Sequence, residues 1–342
     1  MIALKPPSFF GKAKRHEILD FLAYRPRRLG ANVVSIPTER GPLLTRISTD
    51  LHPTCATLGD LEPLPLELFN EILRYSDLQT ASAFRSLNQR ARAAVKSLFH
   101  YKLILLKAPQ AVAALEKTGI ASHFSVDDLF HALSTPTYLW IPECVRCCLP
   151  CMSKPKLLPM TERDARAAFG LTKSGLRGVP IMATLPGIYT SFQRPYCRTR
   201  YLLSRERARQ AAVGIHGGEE ELAEYVNNGT SNAKIAYDQR VAKRGRTVND
   251  PTRFMSVVPL PYLDSGLRIT RAGLACQGCN YRTRGKNTHL QTFTTKGIFE
   301  HFNKCSSARR LWKAHRKMTG KSSEGTPGPY PHRYLNMLHR SM

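Results

Sequence analysis

Seven of the nine cysteines in this 342-residue chain fall into two short stretches, CVRCCLPC at 144–151 and the interval from Cys276 to Cys305. Thiols gathered in this way can cross-link, react or hold a metal. The total is odd, and only Cys55 and Cys197 stand alone, which in a chain of this size favours metal over a disulfide framework. Adjacent cysteines such as Cys147 and Cys148 seldom bond to each other, because closing that ring strains the peptide between them.

The downstream set reads Cys276-x2-Cys279-x21-His301-x3-Cys305. A Cys-x2-Cys turn presents two thiolates to one ion at ~2.3 Å, and Gly278 eases its tight backbone. The apolar spacing predicts a helix from about 295 to 317. His301 and Cys305 then lie one turn apart on one face, near Ile298, Phe299 and Phe302, which bury them. Three thiolates and one imidazole in a closed set suit zinc in a structural role. His289 is a rival fourth ligand that lacks the helical pairing with Cys305.

Within CVRCCLPC the pairs Cys144-x2-Cys147 and Cys148-x2-Cys151 overlap. They predict a second, partial ion at Cys144, Cys147 and Cys151, with Cys148 as a spare or fourth ligand and Cys197 or a histidine as an outside donor. A redox pair would want a thioredoxin-like βαβ setting. The segment before the cluster, TYLWIPE, is instead a short extended run. No Gly-rich phosphate loop, nucleophile elbow or paired carboxylates stand out, so the chain is expected to carry no active site of its own.

The elements that must position these residues can be read in outline. A hydrophobic content of 42% is enough for a buried core. No apolar run reaches 18 residues, and the N-terminus has no apolar stretch of signal-peptide length. Glu17, Asp20, Pro6 and Pro7 argue against a transit peptide, so a cytoplasmic or nuclear location is expected, without a membrane. Net charge is +26, and residues 232–318 hold eighteen Lys/Arg against four Asp/Glu, whereas 58–77 is acidic. Such an excess gives non-specific affinity for nucleic acid whatever the function.

Residues 1–57, rich in proline and base, read as a disordered basic extension. From 58 to 105, LGDLEPLPLELFNEILRYSDLQTASAFRSLNQRARAAVKSLFHYKLIL predicts three packed helices. Pro65 suits the first turn of one ending near Tyr75; Asp77 caps a second with Leu78, Ala81, Phe84 and Leu87 inward; Asn88 caps a third with Ala91, Ala94, Val95 and Leu98 inward. The region 106–318 contains further helix signals at 108–119, 125–134, 161–170 and 200–218, then a loop through 227–250. Residues 319–342 read as a disordered tail.

The stretch LEPLPLELFNEILRYSDLQTASAFRSLNQRARAAV resembles an F-box, in particular those of filamentous-fungal F-box proteins. It carries the Leu64-Pro65 opening, Glu67-Leu68, Ile72-Leu73, the Asp77-Leu78 restart, Phe84-Arg85 and Asn88. The following Cys/His clusters are similar to such proteins too. The resemblance implies docking on a Skp-family adaptor, and through it a cullin, by Leu64, Pro65, Leu68, Ile72, Leu73, Leu78 and Phe84. The chain would be the substrate-recognition subunit of an SCF-type ubiquitin ligase with an unknown protein target, its C-terminal region 106–318 choosing that target. Leu64, Pro65, Leu68, Ile72 and Leu78 are also more apolar surface than three short helices bury alone. The expected fold is mainly α, α+β overall: a three-helix F-box, then an irregular helical region with zinc-stabilised Cys/His sites. The rival function is a zinc-finger nucleic-acid binder using Arg282, Arg284, Lys286, Lys296, Lys304, Arg309, Arg310, Lys313, Arg316 and Lys317.

Overall fold

The computed structural model describes residues 8–11, 13–24, 33–36, 57–134, 137–152, 157–189, 195–244, 251–264, 269–271, 273–281 and 291–319. They are mostly helical, with several small sheets of two or three strands. The expected tail beyond Thr319, together with Cys55, Arg282, Arg284, Lys286 and His289, lies outside the described residues.

Helix α1 (Arg15–Leu22) falls where a disordered extension was expected. Ile18 and Leu22, one turn apart, are fully buried, and the Glu17 carboxylate accepts the Lys14 N–H at 3.1 Å. Val33, Val34 and Ile36 are also buried, and the Val34 N–H donates to the Val257 carbonyl at 2.9 Å. The disordered reading is therefore corrected for residues 8–11, 13–24 and 33–36. The apolar face of α1 is too short to show a period, and its partners lie more than two hundred residues downstream. Ile36 is held by Gln110, whose side chain accepts its N–H at 2.9 Å.

The three helices read from the acidic segment are α2 (Leu66–Tyr75), α3 (Leu78–Leu87) and α4 (Gln89–Ser97). Asp77 caps α3 by accepting the Thr80 N–H at 2.8 Å, and Asn88 caps α4 by accepting the Ala91 N–H at 2.8 Å, so each satisfies a donor that a helix start leaves orphaned. Leu87, expected inward, is instead exposed. Helices α5 (Phe99–Lys107) and α6 (Pro109–Lys117) follow; Ala111 to Leu115 are all buried, and Gly119, at φ +79°, ends the turn after α6. In α7 (Val126–His131), Ser125 and Asp128 form a reciprocal capping box.

These helices do not own a separate core. The Leu78 N–H donates to Phe124 and the Val126 N–H to Ser76, stitching the start of α3 to α7. Arg74 on α2 reaches Asp127 on α7 at 2.6 Å. Phe69, Leu73, Leu78, Val95 and Ile104 share one cluster with Leu129, Leu139, Leu202 and Val258. The boundary expected at 105 thus runs through continuous packing, as three short helices with this much apolar surface require.

Strand Thr137–Trp140 lies between Val145–Cys147 and Val257–Leu260, antiparallel to both, and α8 (Leu149–Met152) is a single turn behind Cys148. Strand Tyr201–Ser204 is likewise central, between Pro159–Thr161 and Met182–Ala183. Around it stand α9 (Glu162–Phe169), closed by Gly170 at φ +65°, and α10 (Arg205–His216). The helix expected over 200–218 therefore begins five residues late, at Arg205, because pairing on both edges takes 201–204 into a sheet. Helices α11 (Glu219–Asn228) and α12 (Asn232–Arg244) occupy most of the loop expected over 227–250. Polar α12 is held against α9 by the ion pair of Arg240 with Asp164 at 2.9 Å, a long-range contact that local pattern does not show. After α13 (Pro251–Met255) the last described helices are α14 (Gln277–Tyr281), α15 (Thr295–Lys304) and α16 (Ser306–Thr319).

Candidate metal centre

Cys276 closes the two-residue strand Ala275–Cys276, and Cys279 sits in α14. His301 lies in the last turn of α15. Cys305 does not continue that helix: its φ of −87° and ψ of 101° break the expected 295–317 run into α15 and α16. The break aims the Cys305 sulfur back at His301, whose carbonyl accepts the Cys305 N–H at 2.9 Å.

The four ligand atoms of Cys276, Cys279, His301 and Cys305 all lie within 4.8 Å of one another, and this group can hold a metal ion. The Cys279 and Cys305 sulfurs are 3.8 Å apart, and Cys279 Sγ is 3.3 Å from His301 Nε2. A tetrahedron with metal–sulfur bonds of ~2.3 Å has a sulfur–sulfur edge of roughly 3.8 Å, so the spacing fits one small ion with no further ligand. Cys276 and Cys279 are buried, while His301 and Cys305 are half-buried.

Crowding of the ligands shows in their protonation. Hydrogen bonds with Cys279 and Cys305 push the Cys276 thiol well up, whereas hydrogen bonds from Cys276 and Cys279 hold Cys305 far below the usual thiol range. Burial disfavours the His301 imidazolium, but hydrogen bonding to Cys279 and Cys305 outweighs it and raises that pKa to about 9. These are donors competing for protons in a space shaped for a cation. The Ala308 N–H also points at Cys305 Sγ, at 3.4 Å.

Gly278 has a different role from the one its spacing suggests. Its φ is not positive; instead, a Cβ there would stand 2.4 Å from the Ala308 nitrogen. Glycine lets α14 approach the start of α16.

The wall of the site comes from both ends of the chain. Phe10, Ile18 and Leu22 join Cys276, Cys279, Ile298, Phe299, Phe302 and Trp312 in one buried cluster. Phe10 meets Trp312 at 5.5 Å, and Ala23 pairs across an antiparallel bridge with Cys276 itself. Phe293 stacks on His301 at 4.5 Å and orients the ring. The N-terminal half of this wall was missed in the sequence; adjacent Phe9 and Phe10 before the Ile18/Leu22 pair were its only signal.

CVRCCLPC is not brought together in the same way. Cys144, the only described non-glycine residue with positive φ (52°), is buried in the main core. Cys147 is buried in another cluster, with Val33, Tyr138, Trp140, Met152 and Val257. Burial pushes both thiols upward, away from the thiolate a metal needs. Cys197 is exposed. Among the described residues, the only group of metal-ligand type is the downstream one, so the second ion expected at Cys144, Cys147 and Cys151 is not supported. What remains is a pair: Cys148 and Cys151 have their sulfurs 3.1 Å apart, and burial, with the Cys151 hydrogen bond, raises Cys148 to about 11.

The residues expected to meet a partner also divide. Leu68 and Ile72 are 56% and 51% exposed, and Pro65 is exposed too. Leu73 and Leu78 are 4% and 0% exposed, and are corrected to core residues on the inner sides of α2 and α3. Leu64 and Phe84 are half-buried; the Phe84 ring lies 5.5 Å from that of Phe69. Leu66 and Tyr75, exposed by 54% and 63%, extend the outer face and were not singled out.

No protein family, curated protein or solved structure matches the chain.

Proposed function

We propose that the chain is the substrate-recognition subunit of an SCF-type cullin-RING ubiquitin ligase, docking on a Skp-family adaptor through α2. The observation that carries this reading is a helix apolar on both sides. Phe69 and Leu73 face the core, while Leu68, Ile72 and Tyr75, at i, i+4 and i+7, face solvent. An outward stripe at helical spacing is what a hydrophobic groove on a partner receives. The F-box-like order of residues 64–88 supports the Skp family as that partner. The Cys276, Cys279, His301 and Cys305 set would hold structural zinc, and the transferase chemistry would belong to other subunits.

The test is binding of the purified chain to the adaptor from its own cell. Leu68→Asp with Ile72→Asp removes two exposed side chains, so the fold and metal content should persist while binding is lost. Leu64→Ala with Pro65→Ala should act in the same direction. Full adaptor binding by the first double variant sinks the assignment.

A second reading, nucleic-acid binding, is favoured by one observation. Helix α16 has no acidic residue, and Arg310, Lys313 and Lys317, at i, i+3 and i+7, are exposed. Affinity arising there should fall steeply with salt, whereas docking through Leu68 and Ile72 should change little.

A further inference from the structure

CVRCCLPC contains a pair of sulfurs that the metal centre and the docking face leave unused. Cys148 follows strand Val145–Cys147, and Cys151 lies in the single turn Leu149–Met152. Their sulfurs are 3.1 Å apart, and the Met152 N–H donates to the Cys148 carbonyl at 3.0 Å, closing the turn across the pair. Two residues separated by one helical turn have Cα atoms within the roughly 4.4–6.8 Å that a disulfide spans, so joining them needs no backbone travel. Pro150 lacks an N–H and belongs in the first turn of such a helix.

Exposure separates this pair from its neighbours. Cys144 and Cys147 are 5% and 3% exposed, whereas Cys148 and Cys151 are half-buried, within reach of a small reagent. The ring closed by a Cys-x2-Cys disulfide is short, so it removes little entropy from the unfolded chain and stabilises less than a long-range cross-link. A bond of that kind is better placed to report redox state than to staple the fold.

We propose that Cys148 and Cys151 are a reversible dithiol–disulfide site that exchanges with small-molecule disulfides of the glutathione class. One thiolate of the pair attacks a sulfur of the small disulfide, expelling a thiolate and leaving a mixed disulfide. The second cysteine attacks the protein sulfur of that bond, expelling the other small thiol. The two protein thiols are oxidised by two electrons, the small disulfide is reduced to two thiols, and the two protons leave on them. Met152, in the same turn, packs with fully buried Trp140, so Trp140 sits beside the change.

The experiment uses the full chain, as purified, in buffers of graded reduced-to-oxidised glutathione, followed by acid quench and alkylation. In reducing buffer the tryptic peptide that starts at Cys147 should carry three alkyl groups. In oxidising buffer it should carry one, on Cys147, and be lighter by two hydrogens, with full reversal by dithiothreitol. Cys148→Ser and Cys151→Ser should each end instead as a glutathione mixed disulfide on the remaining cysteine. Three alkylated cysteines at every buffer ratio, a disulfide that includes Cys147, or protection of the pair by a bound metal would each overturn the proposal.

Discussion

The two cysteine-rich regions begin from the same unit, Cys-x2-Cys, and part company in what surrounds it. At the C-terminal end the ligands arrive from a strand end, a helix, a helix's last turn and an interhelical break, and four elements can converge on one point. In CVRCCLPC the thiols follow one another along a single local stretch, through a left-handed turn, the strand Val145–Cys147 and the turn α8, and among the described residues no second part of the chain brings a ligand to them. Cys144 sits in a left-handed turn just before the strand that carries Cys147, and the two side chains enter two different cores. Ligand count does not make a metal site; convergence of elements does.

The largest effect should follow from breaking the converged set. Chelation, Cys276→Ser or His301→Ala should release α1 together with α14, α15 and α16, read as fast hydrogen exchange in these helices at once, while α2–α7 stay protected. In isolated zinc-finger peptides binding supplies about 10–16 kcal/mol, which is folding free energy. Cys144→Ser should leave metal content and the four released helices unchanged. It places a hydroxyl in an apolar core, for about 1–3 kcal/mol of lost stability by denaturant melt.

Gly278 sharpens the same contrast at smaller scale. Gly278→Ala should weaken metal retention, because the methyl meets the Ala308 backbone, which cannot swing aside as a side chain does. Gly214→Ala on α10 meets nothing within 4 Å, and should be neutral or stabilising by about 0.5–1 kcal/mol. A competitive chelator titration of the first and a thermal melt of both decide it.

Much of this was legible in the sequence, for a physical reason. Caps are local, so Asp77 and Asn88 could be placed from their own neighbours. The Cys276, Cys279, His301 and Cys305 set could be named because its spacing is local on each side. What stayed hidden was long-range: α1 against α15 and α16, the central strand 201–204, and the hold of α9 on α12. Helical spacing reads Leu68, Phe69, Ile72 and Leu73 as one apolar face of α2; the fold divides them, burying Phe69 and Leu73 and leaving Leu68 and Ile72 exposed.

The smallest effect concerns the ion pair that joins α2 to α7. Burial tends to raise the Asp127 carboxyl, but the Arg74 hydrogen bond and the His131 charge outweigh it and hold its pKa below the usual range. A depressed folded-state pKa stabilises above the unfolded value, near ~3.9, and that contribution is lost as pH falls through the folded value. Asp127→Asn should therefore be less stable than the parent at neutral pH, with the two melting curves converging in acid. Metal release should also occur on acidification, as protons compete for the thiolates and His301, and should be unchanged in Asp127→Asn.

Elemental analysis of the purified chain tests the contrast between the two cysteine regions most directly. One equivalent of zinc is expected, retained when Cys147 and Cys151 are both changed to Ser and lost in His301→Ala. Near zero in the parent, or near two equivalents falling to one on loss of Cys147 and Cys151, would contradict it.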